Sequence, residues 1–211
     1  MSDTTPAGPP PLLPVPHRLE DDRIFLAPVT RQDHPFLYQL SIDTAIASSW
    51  RFRGHVPSFE EFSTQVNQAV LTQFVVGERA GGEGSEARIG HVVAYNADLR
   101  NGHCAIAVAM AAPVVGLGAG MRALTLIIDH VFATWNFHKL YAEVPDFVFD
   151  GVEEGLSDST MLGFQLEGRF RDHVFAEGRH HDVHIVATYR SDWPGAEAHR
   201  RAWEDQRSGR A

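Results

Sequence analysis

Three alternating glycines within residues 115–121 are the first candidate for chemistry in this sequence. Gly116, Gly118 and Gly120 carry no Cβ, so the backbone there can turn sharply with its N–H groups directed outward. Apolar residues then recur at three- and four-residue steps, which predicts a helix that starts at Met121. Free N–H groups and the positive end of the helix dipole favour an anion at such a start. The stretch therefore predicts a phosphate site.

Two common phosphate-binding motifs do not fit this spacing. A P-loop places Lys and a hydroxyl residue after its last glycine, where this chain has Met121 and Arg122. A dinucleotide-binding fingerprint reads G-x-G-x-x-G in the first strand–helix unit, whereas this chain reads G-x-G-x-G much later. A glycine-rich turn before a core helix, without any ligand, is the alternative.

Metal and thiol chemistry are not expected. Cys104 is the only cysteine in the sequence, which excludes an intramolecular disulfide and a thiolate-rich metal site. In a strand, His180, Asp182 and His184 would share one face, but no further pair of ligands accompanies them. We therefore expect no metal, and we expect Cys104 to be a buried, unreactive thiol.

A long connection at residues 41–57 carries aromatic and basic side chains. Loops of this length are often binding segments, so these side chains are candidates to line an acceptor site or to bind an acidic group. Ordinary anchoring of the loop is the alternative. The candidate residues are Trp50, Arg51, Phe52, Arg53 and His55.

The elements that must position these residues follow an α+β order. A capping box at Ser58 and Glu61 starts a second helix, which the pattern extends to about Leu71. The predicted strands are residues 23–29, 73–78, 89–96, 103–110, 139–144, 165–174 and 181–189. The predicted helices are one containing Phe36, Leu37 and Leu40, the one from Ser58, one after the glycines, and a short one at 157–162.

The strand at 103–110 is apolar on both faces, which predicts a central position in the sheet. One face carries large side chains and the other, after His103, only three alanines. The small face leaves room for a ligand against the sheet, or equally for a closely packed helix. Its residues are Ala105, Ala107 and Ala109.

Length and charge restrict the class of protein. The 211 residues suit one domain, expected at 18–194, between a disordered Pro-rich arm at 1–17 and a polar tail at 195–211. The net charge of −9 argues against direct nucleic-acid binding. With no apolar run of membrane-spanning length and no secretory signal pattern, we expect a cytoplasmic protein that does not bind membranes.

Several short motifs carry a family resemblance. They are Gly116-Leu-Gly-Ala-Gly120, Asp129-His-Val-Phe-Ala133 leading to His138-Lys-Leu-Tyr-Ala142, Leu162-Gly-Phe-Gln-Leu-Glu-Gly168, and Asp182 in the last strand. In order and spacing the chain resembles the GNAT acyltransferase superfamily, specifically its RimJ/RimL-like ribosomal-protein N-acetyltransferase branch. The resemblance implies a mixed, mostly antiparallel twisted sheet, splayed around an acyl-CoA site, with helices on both faces.

The resemblance also implies an activity and a cosubstrate. The expected reaction transfers an acyl group, most simply acetyl, from acetyl-CoA or another acyl-CoA to a primary amine of a protein N-terminus or small molecule. The main chain of four residues of the central strand would bind pantetheine: Ala107, Val108, Ala109 and Met110. The glycine stretch would hold the pyrophosphate: Val115, Gly116, Leu117, Gly118, Ala119, Gly120 and Met121. Trp50, Phe52, Arg53 and His55 would lie on the acceptor side.

The catalytic residues follow the family pattern less closely. Val115 stands where the family has Arg or Gln, and Ala105 where many members have an acidic base. Since that acid is absent, we expect His103 to act as the base, with an exposed turn histidine and a water-relayed base as the alternatives. Counted back from Gly163-Phe164, Ser159 stands where the family has a hydroxyl residue, so the resemblance implies that Ser159 protonates the leaving thiolate, and a plain surface serine is the alternative. A weakened module that binds acyl-CoA or an acyl carrier without turnover is the alternative, and a homodimer is compatible with either function.

Overall fold

The computed structural model describes residues 18–44, 46–79, 87–111, 117–149 and 163–207. The predicted arm at 1–17 and the predicted short helix at 157–162 lie outside these ranges. The described residues form an α+β fold, as predicted.

The sheet contains eight strands within the described residues, in the order β1-β2-β3-β4-β5-β6-β8-β7. Its strands are β1 (Leu19–Glu20), β2 (Ile24–Pro28), β3 (Val70–Glu78), β4 (Ala87–Asp98), β5 (His103–Met110), β6 (Lys139–Pro145), β7 (Phe164–Ala176) and β8 (Arg179–Tyr189). Neighbouring strands are antiparallel except β5 and β6, which run parallel. This mixed, mostly antiparallel arrangement confirms the predicted fold class.

Helices cover both faces of the sheet. They are a 3-10 turn (Arg31–Asp33), α1 (His34–Ile42), α2 (Phe59–Gln65), α3 (Leu117–Thr134) and α4 (Ala196–Arg207). Contacts place α3 against β2, β4 and β5, and α4 against α3, whereas α1 and α2 pack together on the opposite face. None of the helices described here combines the length and the apolarity that crossing a bilayer requires.

The second helix is shorter than its sequence pattern predicts. Ser58 caps it as expected, because its hydroxyl accepts a hydrogen bond from the Glu61 N–H at 3.1 Å. The helix ends at Gln65, and Leu71 belongs to β3. The predicted extension to Leu71 is therefore wrong: Ala69 adopts a left-handed φ of 55°, which breaks the helical path before the strand begins.

The main core lies between α3 and the sheet. The large-residue face of β5 contributes to it, as the alternation predicts, while the alanine face points to α1 and α2. Its fully buried members include Leu26, Val76, Val92, Ile106, Ile127, Ile128, Val131 and Leu140. A second cluster on the opposite face joins α1, α2 and β3 through Leu37, Phe62, Val66 and Val75.

The predicted polar tail contains α4, which packs against α3. The Trp193 indole donates to Asp129 Oδ1 at 2.6 Å, and the Ala196 N–H donates to Asp129 Oδ2 at 3.0 Å. His199 is 2% exposed and stacks on Trp193 with ring centroids 4.6 Å apart. One carboxylate of α3 thus holds the start of α4 in place.

Arg190 caps the C-terminal end of α3. Its guanidinium donates to the carbonyl oxygens of Phe132 at 2.5 Å, Trp135 at 2.6 Å and Phe137 at 2.6 Å. A cation at this position also complements the negative end of the helix dipole. Because α3 supplies much of the core, this cap couples the helix end to the strand that precedes Arg190.

We expect Arg190→Gln to lower the free energy of unfolding by about 2 kcal/mol, because carbonyls at the helix end lose charged donors. Urea unfolding followed by tryptophan fluorescence measures the change. Arg200→Gln is the matched control, since Arg200 pairs with Glu197 and Glu204 on the exposed side of α4. Equal shifts of the midpoint in the two variants would contradict the capping role.

Candidate active site

The two parallel strands at the centre of the sheet separate after a short paired segment. β5 pairs with β6 through His103, Cys104 and Ala105. Beyond Ala105, the described residues pair β5 with β4 and pair β6 with β8. A V-shaped gap therefore opens between residues 106–110 of one strand and residues 142–145 of the other.

Along this gap, part of the β5 main chain faces away from β4 and has no strand partner among the described residues. The Ala111 N–H donates to Ile89 O at 2.8 Å, which fixes the alternation along β5. Ala107 and Ala109 direct their N–H and C=O groups to β4, as Ala111 does. Val108 and Met110 direct theirs to the gap, on the side away from β4. Two of the four predicted pantetheine contacts, Val108 and Met110, thus present their main chain where an extended ligand would lie.

The N-terminal turn of α3 lies beside the far end of this gap. The helix includes Leu117 and Gly118, so it starts earlier than the predicted Met121. A Cβ added at Gly120 would lie 3.4 Å from the Met110 Cγ, which places the turn against the end of β5. A Cβ added at Gly118 would meet no described atom within 4 Å. Backbone N–H groups of a first helical turn have no acceptor within the helix, so this turn suits an anion.

Two of the residues predicted for the pyrophosphate lie outside the described residues, namely Val115 and Gly116. Leu117, Gly118, Ala119, Gly120 and Met121 all lie in the first turns of α3. The binding role of this stretch stays a prediction. The structure places residues 117–121 beside the far end of the gap.

A pocket of about 280 Å³ lies on the alanine face of β5, opposite the main core. Ala107 and Val93 form part of its floor, and the loop that follows α1 forms its wall. The lining residues are Ser49, Trp50, Arg51, Arg53, Gln68, Ala69, Val70, Val93, Tyr95, Asn96 and Ala107. Of the three alanines on this face, Ala107 lines the pocket, whereas Ala105 and Ala109 are buried and do not belong to its lining.

The predicted acceptor residues divide into two groups. Trp50 and Arg53 line the pocket, whereas Phe52 and His55 do not contribute to its lining. Phe52 packs against Phe62 with ring centroids 5.9 Å apart, and His55 is exposed. The acceptor role of all four residues stays a prediction, and the pocket favours Trp50 and Arg53.

Two sets of contacts, one made by Arg51 and one by Trp50, hold the wall of the pocket in place. The Arg51 Nη2 donates to the carbonyl oxygens of Gln65 at 2.8 Å and Gln68 at 2.7 Å. The Trp50 ring meets the His91 ring edge to face at 5.7 Å, and His91 Nε2 lies 3.0 Å from Gln73 Oε1. Burial and the nearby Arg51 charge lower the pKa of His91 to about 3, so its imidazole is neutral at physiological pH.

One carboxylate, one guanidinium and two phenol groups lie between the gap and the pocket. Glu143 lies on β6 just past the last residue paired with β5, and one of its carboxylate oxygens is 3.8 Å from Arg53 Nη2. Burial and the Glu143 charge raise the pKa of Tyr95 to about 12, so its hydroxyl stays protonated and can donate. Burial and Glu143 also raise the pKa of Tyr141. Sequence reasoning missed all three residues, although alternation along 139–144 already places Tyr141 and Glu143 on one face.

Of the two predicted catalytic residues, His103 belongs to the described part of the chain and Ser159 does not. His103 lies at the closed end of the gap, where β5 and β6 are still paired, and its ring meets Tyr141 at 5.9 Å. Its buried Nδ1 has no hydrogen-bond partner within the described part of the chain. Ser159 lies outside the described residues. Both assignments stay predictions.

The described residues show no thiol or metal centre. Cys104 is fully buried, and burial raises the pKa of its thiol to about 12. Among the residues described, no group of three His, Cys, Asp or Glu side chains is placed to hold a metal ion. Asp182 instead accepts hydrogen bonds from the Arg169 side chain and the Asp172 N–H.

Comparison with known proteins gives a match at the level of structure. No protein-family model matches the sequence, and no curated protein matches it. A spermidine N-acetyltransferase from Vibrio cholerae, in complex with CoA and spermine, is 22% identical with a TM-score of 0.67, covering 82% of this chain and 98% of that chain.

Two further solved structures of that organism's SpeG enzyme are similar. A mutant of this spermidine N-acetyltransferase gives a TM-score of 0.68 at 21% identity, covering 84% of this chain and 99% of that chain. A complex with manganese ions gives 0.64 at 21% identity, covering 80% and 94%. With its splayed central strands and helices on both faces, this chain has the fold of the GNAT N-acetyltransferases.

Proposed function

We propose that the protein is an acyl-CoA-dependent N-acetyltransferase that acts on a small primary amine. The observation that carries the proposal is the juxtaposition at β5 of two binding features. One edge of this strand presents to the gap main-chain groups that no other described strand pairs with, and one face of it forms the floor of a pocket. A thioester in the gap and an amine in the pocket would meet beside Ala107.

The donor fits the gap by its shape and its charge. Pantetheine is an extended chain with amide groups, so it can pair with the main chain of Val108 and Met110 as an added strand would. Its pyrophosphate would then lie against the first turn of α3, near Gly118 and Gly120. Structural neighbours support this choice of donor, since one of them was solved in complex with CoA.

The reaction needs little beyond positioning and one proton transfer. The amine nitrogen attacks the thioester carbonyl, the C–N bond forms, and the C–S bond breaks to release the thiolate of CoA. The Glu143 carboxylate lies two residues past the last β6 residue paired with β5, so it is placed to take the proton of the amine, directly or through water. His103 sits where the strands are still paired, which makes it the second candidate. The protonated Tyr95 hydroxyl can donate to negative charge that develops nearby.

The acceptor is a small molecule in this proposal. A pocket of about 280 Å³ suits a compact amine better than a peptide chain. The predicted RimJ/RimL-like branch and a protein N-terminal acceptor rest on sequence motifs alone, and the cytoplasmic location and the homodimer stay predictions. The spermidine N-acetyltransferases among the neighbours also act on a small amine, as their name states.

A thiol-release assay tests the proposed activity. The purified chain is incubated with acetyl-CoA and a panel of small amines, and free CoA is measured against a control without amine. We expect amine-dependent release with at least one member of the panel, together with the acetylated amine by mass spectrometry. Binding of acetyl-CoA without amine-dependent release would overturn the transferase assignment.

A binding module without turnover is the second candidate function. It is favoured by Ala105, which is fully buried on the central strand at a position where many members of the family that the sequence resembles carry an acidic base. Such a module would bind acetyl-CoA as tightly as an enzyme does but would release no CoA with any amine. The same assay, combined with calorimetric binding of acetyl-CoA, separates the two functions.

A further inference from the structure

The charged residues that line the pocket on the alanine face are all basic. Two of its lining residues are Arg51 and Arg53, and no Asp or Glu belongs to the lining that the structure describes. The rest of the lining is aromatic, aliphatic or neutral and polar, with Trp50 and Tyr95 as the largest side chains. A cationic wall repels a polyamine and attracts an anion.

Arg51 lacks an acidic partner within the described chain. It is half-buried, and its Nη2 donates to two carbonyl oxygens, those of Gln65 and Gln68. These neutral acceptors fix the guanidinium without neutralising it, so burial lowers the pKa of Arg51. A partly buried cation without a counter-ion is costly, and an anionic group of a ligand would remove that cost.

Arg53 extends the same charge toward the reacting centre. Its backbone is left-handed, with a φ of 48°, and Gly54 follows at 86°, so the turn directs the chain back after Arg53. The side chain is 64% exposed and reaches Glu143 at 3.8 Å, which is the long end of an ion pair. A carboxylate of a ligand could therefore bind the Arg53 guanidinium without breaking a short ion pair to Glu143.

We propose that the acceptor is a small amine that carries a carboxylate, with Arg51 and Arg53 binding the carboxylate and the amine directed toward Ala107 and Glu143. This inference rests on the proposed transferase function and assigns its substrate class. It separates the chain from the structural neighbour that was solved with spermine, since spermine is a polycation. The two arginines act as specificity residues, and Glu143 meets the ammonium end of the same molecule.

Matched ligand pairs test the carboxylate directly. Alanine, leucine and phenylalanine are each compared with the corresponding carboxamide, and spermidine is added as the polyamine. Affinities are measured by calorimetry in the presence of CoA, which permits no turnover, and KM values are measured with acetyl-CoA. We expect at least one acid to bind roughly tenfold or more tightly than its amide, and all three acids to bind more tightly than spermidine.

Arginine variants identify the residues responsible. In Arg53→Gln and Arg51→Gln, the acid-to-amide affinity ratio should fall roughly tenfold, while the KM for acetyl-CoA stays unchanged. Comparing this ratio between each variant and the unmodified protein cancels the different basicity of acid and amide, and a loosened loop would weaken both ligands alike. Arg79→Gln is the control, because Arg79 is an exposed arginine that pairs with Glu20 away from the pocket.

The results can contradict the proposed carboxylate-bearing acceptor and the proposed transferase activity independently of each other. Amides or spermidine bound as tightly as the acids, or a ratio that neither variant changes, would overturn the substrate class even if some amine is acetylated. Selective binding of acids without any release of CoA would overturn the transferase function and leave the anion site standing.

Discussion

Replacing Glu143 by Gln is expected to lower kcat/KM for the amine acceptor about a hundredfold or more, which is the usual contribution of a general base. The substitution preserves size and hydrogen bonding but removes the ability to take a proton. Glu143 lies where β6 leaves β5, so its loss should affect the acceptor step and leave the KM for acetyl-CoA unchanged. Steady-state rates with varied amine and saturating acetyl-CoA give the result.

The pH dependence distinguishes proton removal from simple binding of the ammonium group. Without a base, only free amine reacts, and its fraction grows about tenfold per pH unit below an amine pKa near 10. The Glu143→Gln rate should therefore rise about tenfold per unit from pH 7 to 9, while the unmodified enzyme rises less steeply. Parallel profiles for the two proteins would mean that Glu143 binds the amine without accepting its proton.

The same experiment decides between Glu143 and the histidine that the sequence favoured. His103→Asn keeps a polar side chain at the closed end of the gap and should change kcat/KM much less than Glu143→Gln does. The reverse order, with His103→Asn nearly inactive and Glu143→Gln close to normal, would restore the sequence-based assignment. A large loss in both variants would point to a relay from one residue to the other.

Much of the fold could be predicted from the sequence because its signals are local. Strand alternation, the capping box at Ser58 and the glycines before an apolar helical stripe each depend on neighbouring residues. The error at Leu71 arose where the apolar pattern runs on past the true helix end. The left-handed Ala69 and the antiparallel pairing with β4 are what redirect the chain there, and neither is visible in a periodicity.

The site was predicted less completely because it depends on register. Alternation puts Tyr141 and Glu143 on one face of β6, but it does not show which face meets the pocket until the parallel pairing with β5 is known. The direction in which each main-chain group of β5 points also depends on the register of the strand pairing. The bond between Ala111 and Ile89 sets the alternation, so the main chain of Val108 and Met110 faces the gap and that of Ala107 and Ala109 faces β4, which the resemblance to a family does not distinguish.

Gly118→Asp is the second substitution with a large expected effect, and it tests the donor site alone. A carboxylate in the first turn of α3 would lie close to the pyrophosphate and repel it. Like charges about 4 Å apart near a protein surface cost between about 1 and 4 kcal/mol, so the Kd for acetyl-CoA should rise between roughly fivefold and several hundredfold. Calorimetry measures this affinity without any acceptor, and the penalty should shrink as salt is added.

The protein should fold normally with this substitution, which makes the loss interpretable. A side chain at Gly118 meets no described atom within 4 Å, and an acidic residue in a first helical turn is favourable to the helix dipole. Gly118→Asn is the matched control, since it has the same shape without the charge and should bind acetyl-CoA far better than Gly118→Asp. If both variants bind acetyl-CoA as the unmodified protein does, no phosphate lies at this helix start. The anion site that the alternating glycines predict would then have to be abandoned, together with the orientation of the donor in the gap.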